Sequence, residues 1–352
     1  MENKLPFGIL KAFFLTFVVA AMVGLAIDGI LSSWVIPSLA ESSNVGKIYR
    51  LINSGDQEEI PVFGSSITRR NYYPDSLDQN VYNYGMPGAL YTSIEPLLKI
   101  ELSKDKTTPI VVDYDHHTFF YDETNRIQLS NYVPFLSNPY IEEMLRNTDN
   151  YDWHYEVPGM RYYGSNLDYI RDLLKPIFEG EEIVNHGGVY FPNRPKVYEQ
   201  FRKKRLNMIE DLEKLRIKQV EEKNLFSLGN ERELTFLDLM LNFHPNEEII
   251  VRFEELVDNS DRLFILVYPP QNPIKLQGLE NYDEVLVLLE RLANGHENLS
   301  VINMSKVPFE ENLYKDSGHM NIDGARKFSA MLRPYLSDVI EQPVKNSYVL
   351  VP

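Results

Sequence analysis

The chain has 352 residues, with 35 Lys and Arg against 51 Asp and Glu, a formal net charge of −16. An apolar content of 43% supports a sizeable core and excludes wholesale disorder, while the acidic balance argues against a nucleic-acid partner, whose phosphates are held by Lys and Arg. Cysteine is absent, which excludes disulfides, thiolate metal sites, a cysteine nucleophile and a lipidated cysteine.

Residues 12–27, AFFLTFVVAAMVGLAI, carry no charge, and apolar character resumes after Asp28 through Ile36. About twenty apolar residues cross a bilayer as a helix, a length this run reaches if Asp28 sits near the far interface. Lys4 and Lys11 precede it, which predicts a cytoplasmic N-terminus and an extracytoplasmic body. The expectation is a transmembrane anchor over 1–40. The alternative is a cleaved signal peptide ending at Ser38-Leu39-Ala40, and either one exports the body. A buried helix of a soluble protein fits less well, because the run has no polar face.

Beyond the anchor, strand and helix signals alternate. Ile60 to Phe63 and Val81 to Tyr84 are apolar runs, each ending at a glycine. Leu90, Ile94, Leu97 and Glu101 have helical spacing, and Pro109 to Asp115 holds the strand IVVDYD. RLFILVY ends at Tyr268, a helix follows over Tyr282 to Ala293, then a strand from Leu299 to Met304 and a last helix from Ile322 to Tyr335. Continuous apolar strands separated by amphipathic helices predict a parallel five-stranded sheet covered on both faces, a doubly wound α/β/α three-layer domain. The domain is split into 41–118 and 261–340, and 341–352 is a C-terminal tail. Between the halves, 119–260 is a large, mostly helical insertion, too long for one crossover. Its segment 197–223 reads as a charged helix with a thin stripe of Met208, Leu212 and Leu215. Arg202, Lys203, Lys204 and Arg205 there read as a solvated face, with an anionic partner as the alternative.

Two segments carry chemistry. Gly64-Ser65-Ser66 follows the first strand, at the carboxyl edge where open parallel sheets bind ligands. It places a hydroxyl at the crevice floor, with backbone N–H groups able to face an oxyanion. Asp316-Ser317-Gly318-His319 precedes the last helix. A neutral imidazole can take a serine proton, and a carboxylate three residues away can hold its tautomer.

With these motifs the chain resembles the SGNH (GDSL-type) hydrolase superfamily over roughly 55–118 and 261–338. Asp-x-x-His-x-Asn-x-x-Gly-Ala is similar to its membrane-anchored branch, which includes the alginate acetylation and teichoic-acid D-alanylation proteins. The resemblance implies a flavodoxin-like strand order, Ser66 as nucleophile, Asp316 and His319 as its partners, and backbone oxyanion donors at Ser66 and Gly85. Ser65 stands where the family has Asp. The family's third block supplies an oxyanion-hole Asn, whereas here the strand ends Asp113-Tyr114-Asp115-His116-His117. Asp115, His116 and His117 are therefore candidates for a third donor or pocket wall. A metal site built on these residues is disfavoured, because strand alternation sends them to different faces.

Arg69 and Arg70 form the basic patch nearest Ser66, and Trp153 and Tyr155 belong to an aromatic-rich stretch that could cover sugar rings, though ordinary packing explains it as well. The functional expectation is an extracytoplasmic O-acyltransferase or acylesterase acting on an acylated small molecule or envelope glycan. It needs no cofactor or metal and works beside a multi-spanning membrane acyltransferase. The alternative is an inactive glycan-binding or assembly subunit of the same fold.

Overall fold

Strands form where apolar and β-branched residues run unbroken, and helices where apolar residues recur every three to four positions. The computed structural model describes residues 7–38, 43–55, 58–77, 80–115, 119, 127–162, 197–221, 233, 237–238, 240–341 and 347–351. In chain order its main elements are α1 (Phe7–Ile30), α2 (Asn44–Asn53), β1 (Ile60–Phe63), α3 (Ser66–Asn71), β2 (Val81–Asn83), α4 (Tyr91–Leu102) and β3 (Ile110–Asp113). There follow α5 (Pro139–Arg146), α6 (Val197–Glu221), α7 (Glu247–Asp258), β4 (Phe264–Tyr268), α8 (Pro273–Leu276), α9 (Tyr282–Gly295), β5 (Leu299–Asn303), α10 (Ile322–Glu341) and β6 (Tyr348–Leu350).

All strand pairs are parallel, in the order β2-β1-β3-β4-β5-β6. The sheet has six strands rather than five. The expected tail 341–352 contributes β6, which pairs Tyr348 with Val301 and Leu350 with Asn303. Tyr-Val-Leu favours extended backbone, and α10 supplies the long crossover that a parallel neighbour requires. The strand is short and partly exposed at the sheet edge, so it lacks the buried apolar run that marks the other five.

The chain divides into two compact units, Met1–Gly55 with Thr124–Val184, and Asp56–Glu123 with Asn185–Pro352. The span read as one insertion is thus shared between them. In the sheet-bearing unit, Ala325, Phe328, Leu332, Leu336 and Val339 line one side of α10 and join a core with Val62, Val111, Ile265, Val267 and Ile302. On the opposite face Phe264 meets Phe253 of α7, which also packs edge-on to Tyr91 and Phe119. Tyr268 meets Tyr282 of α9 there. Each such side chain contributes about 1.5–3 kcal/mol when fully buried. At the amino edge of the sheet, fully buried Glu101 receives Arg262 at 3.0 Å, Lys104 at 2.7 Å and Lys106 at 2.9 Å. Burial alone would raise this carboxyl, but Lys104 and Lys106 hold it below the usual range.

Among its described residues the other unit contains one helical stretch, Gly8–Val35, of 28 residues and mean hydropathy 2.3, long and apolar enough to cross a membrane. Ser43 starts α2 by accepting the Gly46 N–H at 3.0 Å, and Val45, Ile48 and Leu51 are buried on one side of it. The carboxylate of Asp28, the one charge inside the apolar run, pairs with Arg161 Nε at 3.1 Å. Nearby, a Cβ on Gly159 would lie 2.4 Å from Gly24 Cα, and Gly159 has φ +81°. Glycine at 159 lets the 157–161 turn approach α1 this closely, and at Gly24 a Cβ would sit tightly, 3.2 Å from Pro158 O.

Gly159→Ala is expected to release this turn. In limited trypsinolysis of the full-length protein in detergent, cleavage after Arg161 should become several-fold faster than in wild type. Gly29→Ala faces open space and should leave the rate unchanged.

Candidate active site

The carboxyl ends of parallel strands open on one edge of the sheet, and the loops leaving β1, β3, β4 and β5 build the site there. α3 begins two residues after β1. Ser65 caps it, accepting the Ile67 N–H at 3.2 Å and donating its hydroxyl to Asp115 Oδ2 at 3.1 Å. Ser65 thereby fills a capping role that an Asp could also play. Two glycines let α3 sit against the sheet end. A Cβ on Gly64 would lie 1.9 Å from Thr68 Oγ1, and one on Gly85 would lie 2.4 Å from the Arg69 nitrogen.

From below, buried Asp113 accepts hydroxyls from Thr68 at 2.9 Å and Tyr72 at 2.8 Å. Asn83 donates its amide to the carbonyls of Thr68 (2.8 Å), which also accepts the Tyr72 N–H, and of Tyr72 (3.0 Å) at the end of α3. On the other side, Asn71 accepts the Met320 N–H at 3.0 Å and donates to Gly318 O at 3.3 Å. The 314–321 loop is closed at its base by the Lys315 N–H to His319 O bond (2.8 Å) and the Asn321 N–H to Leu313 O bond (2.9 Å). Asn272, after β4, donates to Asp316 O at 3.1 Å.

These restraints bring together the three residues singled out in sequence. His319 Nε2 lies 2.8 Å from Ser66 Oγ, and His319 Nδ1 lies 2.7 Å from Asp316 Oδ1. The same carboxylate oxygen accepts the backbone N–H groups of His319 (3.0 Å) and Gly318 (3.3 Å). Partial burial pushes Asp316 up, but the His319 ring and these amides outweigh it and hold the carboxyl below its ordinary value. A charged Asp316 draws the neutral-ring proton to Nδ1 and leaves Nε2 as the acceptor for the Ser66 hydroxyl. All three side chains are half-buried, so a substrate can reach them.

The remaining candidates are distributed differently. The Gly85 N–H donates to Asn83 Oδ1 at 2.8 Å, so in this arrangement that amide is engaged rather than open to an oxyanion. The Ser66 N–H has no acceptor among the described residues. Asp115 holds the Ser65 cap, while His116 and His117 lie outside the described residues. Arg69 and Arg70 are half-buried in the last turn of α3 and line neither cavity described below. Trp153 and Tyr155 belong to the unit of the apolar helix, with Trp153 66% exposed, and contribute to neither cavity. Among the described residues no group of three His, Asp or Glu is placed to hold a metal ion.

Two cavities flank the 316–319 loop. A narrow crevice is lined by Ile67, Asp115, Pro270, Asn272, Lys275 and Gly318. A groove runs along α6, with Phe201, Lys204, Arg205, Met208, Phe243, Lys275 and Ser317 in its wall. Lys275 borders both. Sequence reading gave no supporting role to Asn71, Asn83, Asp113, Asn272 or Lys275. They lie at strand ends, in short helices or at a helix cap, and only their partners in space give them a role.

Burial raises Asp113 to about 7, with Asp115 adding to the rise against the hydroxyl bonds of Tyr72 and Thr68 and the charge of Lys275. Its folded value lies above its unfolded one, so its stabilising contribution is full below about pH 4 and is lost as pH rises through 7. Denaturant unfolding of wild type between pH 5 and 8 should therefore contain a falling component of at most about 1.4 kcal/mol per pH unit. Asp113→Asn should lack it; parallel pH profiles for the two proteins would contradict the assignment. Compared with protein-family models the chain matches none, and no curated protein matches it at a significant level.

Proposed function

We propose that the protein is a membrane-anchored, serine-dependent acyl-transfer enzyme with its catalytic unit outside the cytoplasm. The observation that carries this reading is the hydrogen-bonded chain Asp316–His319–Ser66, at 2.7 and 2.8 Å, on the carboxyl edge of a parallel sheet. Ser66 Oγ attacks the acyl carbonyl carbon while His319 Nε2 takes the hydroxyl proton. Asp316 stabilises the imidazolium that results. The Ser66 N–H faces the developing oxyanion. As the tetrahedral intermediate collapses, His319 returns the proton to the leaving group and an acyl-serine remains. A second hydroxyl, deprotonated by the same imidazole, then takes the acyl group. A sugar hydroxyl makes the reaction O-acyl transfer, and water makes it ester hydrolysis.

The apolar helix and the lysines before it support a body on the outer side. That placement suits an exported or envelope glycan as acceptor and a multi-spanning membrane acyltransferase as the supplier of acyl groups. The motifs around Ser66 and His319 resemble the SGNH pattern, whose membrane-anchored branch modifies such polymers.

A second reading, a non-catalytic glycan-binding or assembly subunit, is favoured by one observation. The Gly85 amide is engaged by Asn83, and Asp115 stands at the end of the third strand where the resembled family places an Asn. Loss of one oxyanion donor typically costs about 10²–10³ in turnover. Reactivity of Ser66 separates the readings.

Ser66→Ala and His319→Ala should each lower release of p-nitrophenol from p-nitrophenyl acetate by roughly 10³ or more, and the double variant should lose little beyond either single one. A fluorophosphonate probe should label wild type and not Ser66→Ala. Wild-type turnover in both single variants would refute the mechanism, and an unlabelled, folded wild type would favour the binding subunit.

A further inference from the structure

Four basic residues stand in succession at Arg202–Arg205 of α6, and the fold treats one of them unlike the others. Arg202, Lys203 and Lys204 are exposed, whereas Arg205 is 6% exposed. Its guanidinium donates to the carbonyls of Met240 (3.0 Å), Leu241 (3.5 Å), Lys275 (2.7 Å) and Gln277 (3.3 Å). Among the described residues no carboxylate pairs with it, and its Nε has no hydrogen-bond partner. The carbonyl it grips at 2.7 Å belongs to Lys275, itself 8% exposed.

Lys275 borders both cavities, which reach Gly318 and Ser317 of the 316–319 loop. It has no hydrogen-bond or ion-pair partner among the described residues. Nearby carboxylates have other commitments: Asp113 to Tyr72 and Thr68, Asp115 to Ser65, Asp316 to His319. Burial lowers its pKa to about 8, with Asp115 opposing the fall and Arg205 adding to it. A buried, unpaired ammonium is costly, and placing a second cation beside it adds to that cost. Apolar side chains of Phe201, Met208 and Phe243 line the adjoining groove.

We propose that this groove is a binding site for an amphiphilic monoanion, whose apolar stem lies along Phe201, Met208 and Phe243 and whose charged end meets Lys275. Lys275 is the buried ammonium of this wall, whereas Lys204, also in it, is exposed and keeps its hydration. A dianion would meet the surrounding Asp113, Asp115 and Asp316. A carboxylate and a phosphodiester share this chemistry. The site rests on the acyl-transfer reading in one respect only, that its ligand is the acyl donor or the donor's leaving group. It also accounts for how a protein of net charge −16 recruits an anion: the attraction is local, desolvated and little screened by salt.

Ligand-observed NMR titration of the full-length protein in neutral detergent tests this, with empty micelles as blank. Hexanoate represents the carboxylate, hexyl methyl phosphate the phosphodiester, and hexan-1-ol the neutral stem. At least one anion should bind ten-fold or more tightly than hexan-1-ol, and whichever does identifies the charged group. Lys275→Met, which removes a buried charge and should fold at least as stably, should abolish that preference while leaving hexan-1-ol binding unchanged. Ser66→Ala should bind all three probes as wild type does, so the site is judged with chemistry switched off and stands or falls apart from the acyl-transfer reading. Equal binding of anions and hexan-1-ol by wild type, or an anion preference that survives in Lys275→Met, would overturn the proposal.

Discussion

The helix that carries Ser66 can occupy its place only because the ends of β1 and β2 present no side chain to it. Gly64 and Gly85 let the Thr68 and Arg69 turn settle onto the sheet edge, closer than any Cβ would allow. Once there, the turn is locked from beneath by the Asp113 carboxylate and at its carboxyl end by the Asn83 amide. A helix of six residues has little intrinsic stability. Its position is therefore imposed by these contacts, and the Ser66 hydroxyl inherits their precision.

The same helix organises its opposite neighbour. Asn71, at its last position, bonds both the Met320 N–H and the Gly318 carbonyl. Ser66 and the loop bearing Asp316 and His319 are thus referenced to one short element rather than to separate parts of the sheet. Asn272 adds a third point of attachment from the β4 side. Residues 253 positions apart in sequence consequently meet at 2.8 Å. Asp113, buried and raised to about 7, shows the cost of this design, because a carboxyl is used as a structural acceptor in a desolvated place.

The insertion contributes to both compact units. Its α6 turns a single member of a basic cluster inward and brings an apolar and cationic wall to the triad loop, while the 153–161 segment packs on the apolar helix through Gly159 and Arg161. Sequence composition could not separate these roles. Arg202 to Arg205 read alike as a charged helix face, and the aromatic cluster around Trp153 read as a sugar platform or as packing. Which residues face inward depends on what covers them.

Local pattern alone determined a good deal. The five apolar strands, the helix over 197–221, the helix opening at Tyr282 and the last helix all lie where periodicity put them, because buried elements must carry apolar residues at the spacing of their own geometry. Ser66, Asp316 and His319 were legible as candidates because parallel topology delivers strand ends to one edge. Tertiary structure decided the rest. It recruited Tyr348–Leu350 as a sixth strand through an open edge of β5, engaged the Gly85 amide with Asn83, and made Asn71 and Asn272 into supports for the triad. It also buried Lys275, a lysine in the four-residue helix Pro273–Leu276. Hydrogen-bond partners and burial are properties of distant segments brought together, and no local pattern encodes them.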